Sequence, residues 1–293
     1  MSLTPVGAQN TSASQSAVIG PSSAQITMAP LNPEWLAYEQ NQTADRAIMA
    51  TTDTGNALGY VPSPVDLRHL KGKIVTGVAQ TYAPSYDLRT VGKVTSVKNQ
   101  NPYGTCWAFA TFGSLESYLL PTETRNFSEL NMAMRSGFDG GLNSGGNRLT
   151  AIAYLARWSG PVDEICDPYE GGDVKLATDN ASIIQKAGRG YMTGNVCPIQ
   201  KHTQDVYFLP ERVSSTDNDN IKWGLMTYGG LHVAIDWYNV YYSSKPATYY
   251  NPNTTSINHG VTLVGWDDNY DRNNFHGIAG APPGNGAFIA KNS

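Results

Sequence analysis

One cysteine, Cys106, stands where a polar loop containing Gly and Pro gives way to a run of periodic apolar residues. Between Trp107 and Leu119 the apolar residues recur at every third or fourth position, which predicts a helix with one buried face, and Pro121 would end it. Cys106 would then lie in the first turn, where free N–H groups and the helix dipole favour the nucleophilic thiolate. Because a lone cysteine is more often a small buried hydrophobic residue, this interpretation depends on the partners that the chain supplies.

A cysteine nucleophile needs a base that accepts its proton, a group that orients the base, and donors for the oxyanion. Among the five histidines, His259 is the best candidate, because it opens a β-prone run that continues through Val264 and could face Cys106 across a cleft. His232 lies within another apolar run, and we interpret it as a hydrogen-bonded core histidine. The others lie in the N-terminal part or in polar loops: His69, His202 and His276.

The other two of the three cysteines are Cys166 and Cys197. If Cys106 is the nucleophile, these two either pair in a disulfide, which would indicate an oxidising compartment, or remain as two buried thiols. The sequence alone leaves both alternatives open.

The elements that must position Cys106 and His259 differ between the two halves of the chain. The first half carries helix patterns at 32–39, 106–119, from Ser128 onward and at 149–158. The second half has one helix pattern at 221–228, followed by short β-prone runs at 231–235, 248–250, 261–264 and 287–290. The sequence therefore predicts an α+β fold, with a helical half followed by a β half.

Composition limits the classes of function and the organisation of the chain. A net charge of −4, a pI near 5.7 and 15% charged residues give no basic surface for nucleic acid. No apolar run approaches the roughly eighteen residues of a membrane span, and no signal peptide is recognisable in this chain. Residues 1–30 are predicted to be a flexible leader and residues 31–80 an N-terminal extension that packs on the main domain.

Several short motifs stand in the order of the landmarks of papain-like cysteine peptidases, and the similarity covers about residues 83–293. The motifs are Val97-Lys98-Asn99-Gln100, Cys106-Trp107-Ala108-Phe109, Ser144-Gly145-Gly146, Pro168-Tyr169-Glu170-Gly171, Asn258-His259-Gly260-Val261 and Lys291-Asn292-Ser293. The sequence around Pro62 and around Trp266 further resembles a prokaryotic cell-surface branch of the family, whose members often carry a lectin-like domain after the peptidase.

This resemblance implies a papain-like fold of two lobes with the active-site cleft between them. A helical lobe, about 95–205, would carry the cysteine helix, and an antiparallel β-barrel-like lobe, about 206–293, would carry the histidine and the asparagine. The peptidase domain would begin near residue 81, preceded by the extension as a pro-like segment.

The resemblance also assigns roles to individual residues. Cys106 would be the nucleophile, His259 its partner in a thiolate–imidazolium pair, Asn292 the residue that orients the imidazole, and Gln100 an oxyanion donor beside the Cys106 N–H. The substrate-binding residues would be Gly145 and Gly146 along the cleft, with Ala234 and Gly260 lining a pocket.

The implied activity is endopeptidase hydrolysis of proteins or peptides through a thioester acyl-enzyme. The enzyme would be made as a precursor, with its own extension as an inhibitor, and would act as a secreted or cell-surface monomer. Neither a cofactor nor a metal is implied, and the acidic loop that starts at Asp267 lacks the Gly and Glu of a calcium loop.

The chain departs from the family pattern in three places. Tyr103 stands where many relatives have a cysteine, and Thr105 where Ser or Ala is usual, so the usual disulfide behind the active site is not expected. The family pattern also continues past Ser293 with a tryptophan that covers the Asn–His bond and with further strands, so we expect the C-terminal part of the β lobe to be missing here.

Two other functions remain open at this stage. The chain could be a catalytically weak or inactive surface binding or adhesion module on the same fold. It could also transfer amides as transglutaminase-like enzymes do, although those usually orient the histidine with Asp, and Asn292 argues against this.

Overall fold

The computed structural model describes residues 30–41, 58–75, 81–138, 142–169, 197–253 and 257–293. The chain divides into Met1–Pro30 and a larger unit, Leu31–Ser293, which contains all the elements below. The predicted leader other than Pro30, part of the extension, and the motif residues Glu170 and Gly171 lie outside the described residues.

Two of the helices begin at the N-cap residues that the sequence predicts. In the described residues they are α1 (Pro33–Gln40), α2 (Cys106–Leu119), α3 (Glu129–Arg135), α4 (Arg148–Ala156) and α5 (Asp219–Tyr228). Asn32 caps α1 through a bond from the Glu34 N–H, and Ser128 caps α3 through a bond from the Asn131 N–H. These side chains satisfy N–H groups that have no partner within the helix, which is why polar residues mark both starts.

Helix α2 is buried on the side that its periodicity predicts. The fully or almost fully buried residues include Cys106, Ala108 and Phe112, each at 0% exposure. The helix ends at Leu119, shortly before Pro121, as predicted.

The strands form an antiparallel sheet organised around one long central strand. They are β1 (Ser85–Asp87), β2 (Leu231–Ile235), β3 (Tyr242–Ser244), β4 (Ala247–Tyr249), β5 (His259–Asp267) and β6 (Ala287–Lys291). β5 pairs with β2 through its first half and with β1 through its last residues, and β6 pairs along its other edge. β3 and β4 form a separate hairpin.

The predicted α+β class is confirmed, but the barrel-like closure is not observed within the described residues. A barrel requires the outer strands to pair with each other. Here β2 and β6 pair with β5, and the described strands leave the sheet open.

Two apolar cores support the two lobes. One core joins α2, α3 and α4 and includes Trp107, Phe127 and Tyr154. The other lies between the sheet and α5 and includes Leu225, Leu263 and Trp266. β5 packs against α2 and carries His259 at its start, so the contact between the lobes also brings the candidate catalytic residues together.

A buried ion-pair network lies behind α2. Lys98 Nζ lies 3.1 Å from Glu116 Oε1 and 2.7 Å from Glu129 Oε1, and both carboxylates are almost fully buried. Thr95 Oγ1 donates to Glu116 at 2.6 Å and accepts from Lys291 Nζ at 2.8 Å. The network therefore ties α2 to the end of β6.

Aromatic contacts hold the loop that precedes α2. The Tyr169 ring packs edge-on against Tyr103 at 6.1 Å and against Phe109 at 4.9 Å. Its hydroxyl bonds Thr105 Oγ1 at 2.7 Å and donates to the Gln100 carbonyl. The departures at Tyr103 and Thr105 thus belong to one alternative packing arrangement.

Cys166 and Cys197 form a disulfide, which resolves the two alternatives left open by the sequence.

Among the described helices, none combines the length and the apolar character that crossing a bilayer requires.

Candidate active site

Cys106 lies in the first turn of α2, as predicted, and it is the only free cysteine of the described residues. Its side chain is 0% exposed. Backbone N–H groups of Gly59, Gly260, Trp107 and Cys106 itself are directed at the sulfur. The N–H groups from α2 and β5 therefore converge on one atom, as they would to stabilise a negative charge.

His259 and Asn292 are joined by a short hydrogen bond. His259 Nε2 lies 2.6 Å from Asn292 Oδ1, and an amide oxygen can only accept, so Nε2 carries the hydrogen. His259 Nδ1 is buried and has no hydrogen-bond partner in the described part of the chain. This tautomer leaves Nδ1 with a lone pair that can accept a proton.

Gly260 places His259 beside Cys106. Its N–H is directed at the Cys106 sulfur, and a Cβ placed on Gly260 would lie 3.3 Å from the Cys106 carbonyl oxygen. Close packing of β5 against the first turn of α2 therefore depends on a residue without a side chain here.

Gln100 is buried near the same residues, with 2% of its surface exposed. Its Nε2 donates to the Tyr103 carbonyl at 3.0 Å, and its Oε1 accepts from Ser293 Oγ at 2.9 Å. These bonds fix the amide plane in the loop that precedes α2.

Trp237 stands next to His259, with 5.7 Å between the ring centroids. Asn258 Oδ1 accepts from the Trp237 N–H at 2.7 Å, and Asn258 Nδ2 donates to the Trp237 carbonyl at 2.9 Å. The indole also stacks on Tyr249 at 4.5 Å. An aromatic residue from the end of β2 therefore shields the imidazole.

The extension crosses the site through Gly59, Tyr60 and Val61. Tyr60 forms a parallel bridge with Gly146; the Gly146 N–H donates to the Gly59 carbonyl at 2.9 Å, and the Val61 N–H donates to the Gly146 carbonyl at 3.0 Å. The Tyr60 N–H donates to the Asn258 carbonyl at 3.0 Å. Backbone groups on both sides of the cleft are thus occupied by the extension.

The predicted substrate-binding residues lie around this crossing. Gly146 pairs with it, Gly260 contacts the Tyr60 ring, and Ala234 is partly buried against the same cluster. Gly145, next to Gly146, has a φ of 70°, a conformation that favours glycine.

The pKa values of Cys106 and His259 are both shifted by burial. Burial raises the pKa of the Cys106 thiol to about 11, although the surrounding N–H groups lower it. Burial likewise lowers the pKa of His259, against the opposite effect of the bond to Asn292. In this closed state a neutral thiol and a neutral imidazole are favoured, which is the opposite direction to the one that the helix position of Cys106 predicts.

Three residues near the site were not assigned to it from the sequence: Trp237, Arg148 and His232. His232 was interpreted as a hydrogen-bonded core histidine, and this is wrong for one of its nitrogens. Nδ1 lies 3.0 Å from Thr111 Oγ1, but Nε2 is buried without a partner in the described residues.

Among the described residues, no group of three or more His, Cys, Asp or Glu side chains is arranged to hold a metal ion.

Solved structures with a similar fold include bacterial surface proteases. The chain superimposes on the cysteine protease and lectin-like domains of Cwp84, a surface layer associated protein of Clostridium difficile, with a TM-score of 0.68 and 26% identity, covering 90% of this chain and 53% of that one. A second structure, of clostridial Cwp84 after propeptide cleavage, superimposes with a TM-score of 0.60 and 29% identity. The match covers 71% of this chain and 50% of that one. The similarity to this cell-surface branch was predicted from the motifs.

A further solved structure shows the same fold at lower identity. The recombinant stem bromelain precursor matches with a TM-score of 0.52 and 21% identity, covering 89% of this chain and 76% of that one.

Curated relatives include viral cathepsins. That of Choristoneura fumiferana nuclear polyhedrosis virus is 27% identical over 80% of this chain and 66% of its own length. That of Choristoneura fumiferana defective polyhedrosis virus is 31% identical over 83% of this chain and 68% of its own length. That of Bombyx mori nuclear polyhedrosis virus is 32% identical over 51% of this chain and 48% of its own length, so the chain spans about half to two thirds of these relatives.

A family profile covers most of the chain. The profile described as papain family cysteine protease matches residues 82–293, a range that begins just before β1 and contains Gln100, Cys106, His259 and Asn292. On this match and on the geometry of the site, the protein belongs to the papain family of cysteine proteases.

Proposed function

We propose that the chain hydrolyses peptide bonds, with Cys106 as nucleophile and His259 as base. The observation that carries this proposal is the 2.6 Å bond from His259 Nε2 to Asn292 Oδ1, which leaves the buried Nδ1 without a hydrogen-bond partner in the described residues. The next residue, Gly260, packs against the Cys106 backbone. A base held in this tautomer can accept the thiol proton and later return it.

The reaction would proceed in two steps. Proton transfer from Cys106 Sγ to His259 Nδ1 gives the thiolate, which attacks the substrate carbonyl carbon; the oxyanion would be bound by the Cys106 N–H and by Gln100. The C–N bond then breaks, and the amine leaves with the proton from His259. Water, deprotonated by His259, attacks the thioester and releases the acid together with the restored thiol.

The extension would hold the enzyme as a precursor. Its backbone occupies the hydrogen-bonding groups of Gly146 and Asn258, and its Gly59 N–H is directed at the Cys106 sulfur. A substrate backbone could not use these groups at the same time. Cleavage between the extension and β1, near Thr81 to Ser85, should therefore raise activity, and clean removal without any rise would contradict the precursor role.

The place of action is proposed to be the cell surface or the secreted space. The similarity to Cwp84, named as a surface layer associated protein, supports this, as does the Cys166–Cys197 disulfide, since such bonds persist in oxidising compartments.

The test combines labelling and turnover. The chain with its extension cut should hydrolyse casein and react with a peptidyl epoxide at Cys106, and Cys106→Ala should abolish both. The Cys166→Ser/Cys197→Ser variant controls for reaction at other sulfurs. Turnover that persists in Cys106→Ala would exclude this mechanism. Labelling without turnover would favour the alternative of a surface binding module.

A further inference from the structure

The hydroxyl of Tyr169 joins the two ends of the loop that leads into α2. It donates to the Gln100 carbonyl, and it lies 2.7 Å from Thr105 Oγ1. A phenol has a single hydrogen and a carbonyl oxygen can only accept, so the Thr105 hydroxyl is the donor of the second bond. One oxygen atom therefore links the residue proposed to bind the oxyanion with the residue directly before the nucleophile.

The turn at 100–103 is closed by hydrogen bonds of its own. The Tyr103 N–H donates to the Gln100 carbonyl at 3.1 Å, and Gln100 Nε2 donates to the Tyr103 carbonyl at 3.0 Å. The Gln100 amide is therefore oriented by the backbone of this turn, and a shift of the backbone also shifts the amide. The Tyr169 hydroxyl binds the same Gln100 carbonyl as the Tyr103 N–H, so it holds the turn at the atom where the turn closes.

Thr105 is the N-cap residue of α2, but its hydroxyl makes no capping bond to the helix. A threonine in this position ordinarily accepts from an N–H of the first turn. Here the hydroxyl bonds Tyr169 instead, and only 1% of the Thr105 surface is exposed. The Cys106 N–H, the second group proposed to bind the oxyanion, belongs to the peptide that follows Thr105. Fixing Thr105 therefore restricts the direction of this N–H.

Tyr169 is itself held by groups outside the loop. Its N–H donates to Glu164 Oε1 at 2.6 Å, and its ring packs edge-on against Phe109 of α2 at 4.9 Å. Two residues earlier, Asp167 Oδ2 accepts from Asn131 Nδ2 at 2.7 Å, which ties this segment to α3. A hydroxyl that orders a loop must have a fixed place, and these contacts supply it.

We propose that Tyr169 is a positioning residue for the oxyanion site, and that Thr105 acts with it. The inference rests on the proposed peptidase function, in which Gln100 and the Cys106 N–H bind the oxyanion. Such donors are effective only when they already point at the place where negative charge develops. Removal of the Tyr169 hydroxyl should therefore slow the chemical step and leave substrate affinity almost unchanged.

The first experiment needs no turnover and compares two reagents for Cys106. A peptide aldehyde reacts by addition: the sulfur–carbon bond forms, the carbonyl π bond breaks, and the thiol proton passes to the new oxygen beside the oxyanion donors. Iodoacetamide reacts by displacement: the sulfur–carbon bond forms and iodide leaves, so no oxyanion is generated. A disturbed oxyanion site should affect only the first reagent.

Tyr169→Phe removes only the phenolic oxygen. In the full chain after its extension has been cut, the variant should be alkylated by iodoacetamide at the wild-type rate, with Cys106→Ala as the blank. The aldehyde concentration that halves this rate measures aldehyde affinity, which should be about 10- to 100-fold weaker. Unchanged aldehyde affinity, or an equal loss in both reactions, would overturn the proposal.

The second experiment measures turnover of a peptide amide. Tyr169→Phe should lower kcat by about 10- to 100-fold with KM close to wild type, since the lost order matters only in the transition state. In a Gln100→Ala background the same substitution should lower kcat by no more than about 3-fold, because the amide that Tyr169 positions is then absent. Losses that multiply would show that Tyr169 does not act through Gln100.

Thr105 offers a matched pair of variants. Thr105→Ser keeps the hydroxyl and should retain kcat. Thr105→Val has nearly the same shape without the hydroxyl, and kcat should fall by about 2- to 10-fold, the range expected for one neutral hydrogen bond. Equal kcat values in the two variants would overturn the part assigned to Thr105.

The control for a general loss of stability is Tyr154→Phe. Tyr154 is fully buried in the same lobe, and its hydroxyl donates to Asn131 Oδ1 at 2.7 Å. The substitution should lower the free energy of unfolding in urea about as much as Tyr169→Phe does, while kcat and aldehyde affinity stay at the wild-type values. Equal losses of kcat in the two variants would show that stability, and not positioning, is the cause.

The two experiments separate the two claims. If no peptide is cleaved, the proposed function fails, while aldehyde affinity and alkylation rate still decide whether Tyr169 orders the oxyanion site. If peptides are cleaved and Tyr169→Phe is as fast as the wild type, only the positioning role fails.

Discussion

At the scale of single residues, the catalytic geometry depends on a bond between two strands. His259 begins β5, and Asn292 directly follows β6, so the 2.6 Å bond between them joins neighbouring strands. Asn292→Ala should lower kcat/KM by about 100-fold or more, because the imidazole loses its fixed orientation. The measurement is peptide turnover with the extension cut. The control is Asn269→Ala in an exposed turn, which should retain activity; equal activities of the two variants would contradict the role of Asn292.

A second prediction concerns the thiol of Cys106. The thiol is the protonated form, so a pKa raised to about 11 lowers the thiolate fraction at neutral pH. Removal of the covering extension removes much of this burial, and the pKa should fall. The rate of iodoacetamide alkylation of the intact chain should rise with a midpoint near 11, and the cut chain should show a clearly lower midpoint. The same midpoint in both forms would show that the extension does not control the thiol.

Cys106, His259 and Asn292 could be proposed as a catalytic set from sequence motifs, but their surroundings could not be predicted. Arg148, His232 and Trp237 meet the site only through tertiary contacts, and no local pattern distinguishes them from surface or core residues. The direction of the Cys106 pKa was missed for the same reason. The helix position favours the thiolate, but burial outweighs it, and burial is a property of the folded chain.

At the scale of elements, the buried ion pairs behind α2 hold the loop, α3 and β6 together. Lys98 is the cation between two buried carboxylates, and burial raises the pKa of Glu129 to about 7 even with Lys98 beside it. Replacing only the cation would leave both buried carboxylates without their ion-pair partner.

Lys98→Met should therefore lower the free energy of unfolding by about 3–5 kcal/mol at pH 8. Without Lys98, the pKa of the Glu129 carboxyl rises further above the unfolded value. Its neutral form is then favoured on folding, and the loss should shrink at pH 5. Urea unfolding at both pH values measures this, with exposed Lys71→Met as control. An equal loss at both pH values would mean that carboxylate charge is not the cause.

The elements themselves were largely predictable, because α1, α2, α3 and β5 carry strong local signals in caps and periodicity. β1 was not predicted as a strand. It has only three residues, and it pairs with Asp267, Trp266 and Gly265, far away in the chain. A short strand whose partner lies far away in the chain has no local sequence signature. The open arrangement of the described strands likewise depends on strand pairing, which local residue patterns do not encode.

At the scale of the whole molecule, the disulfide joins Cys166 to Cys197 across a separation of 31 residues. In the chain-entropy picture such a cross-link stabilises by about 3–4 kcal/mol, by restricting the unfolded chain. Cys166→Ser/Cys197→Ser should lower the free energy of unfolding by about this amount, measured by urea denaturation under oxidising conditions. The wild-type chain in reducing agent should show a similar loss. If the double serine variant is as stable as the oxidised wild type, the bond does not support the fold.

The pairing of β1 with the far end of β5 also sets an order of events during synthesis. The extension and β1 leave the ribosome first, α2 follows, and β5 and β6 come last. Contacts between such distant segments form late in folding. The imidazole and its asparagine therefore join Cys106 only after Tyr60 has been synthesised. On the proposed precursor role, the active site would thus be covered as soon as it forms.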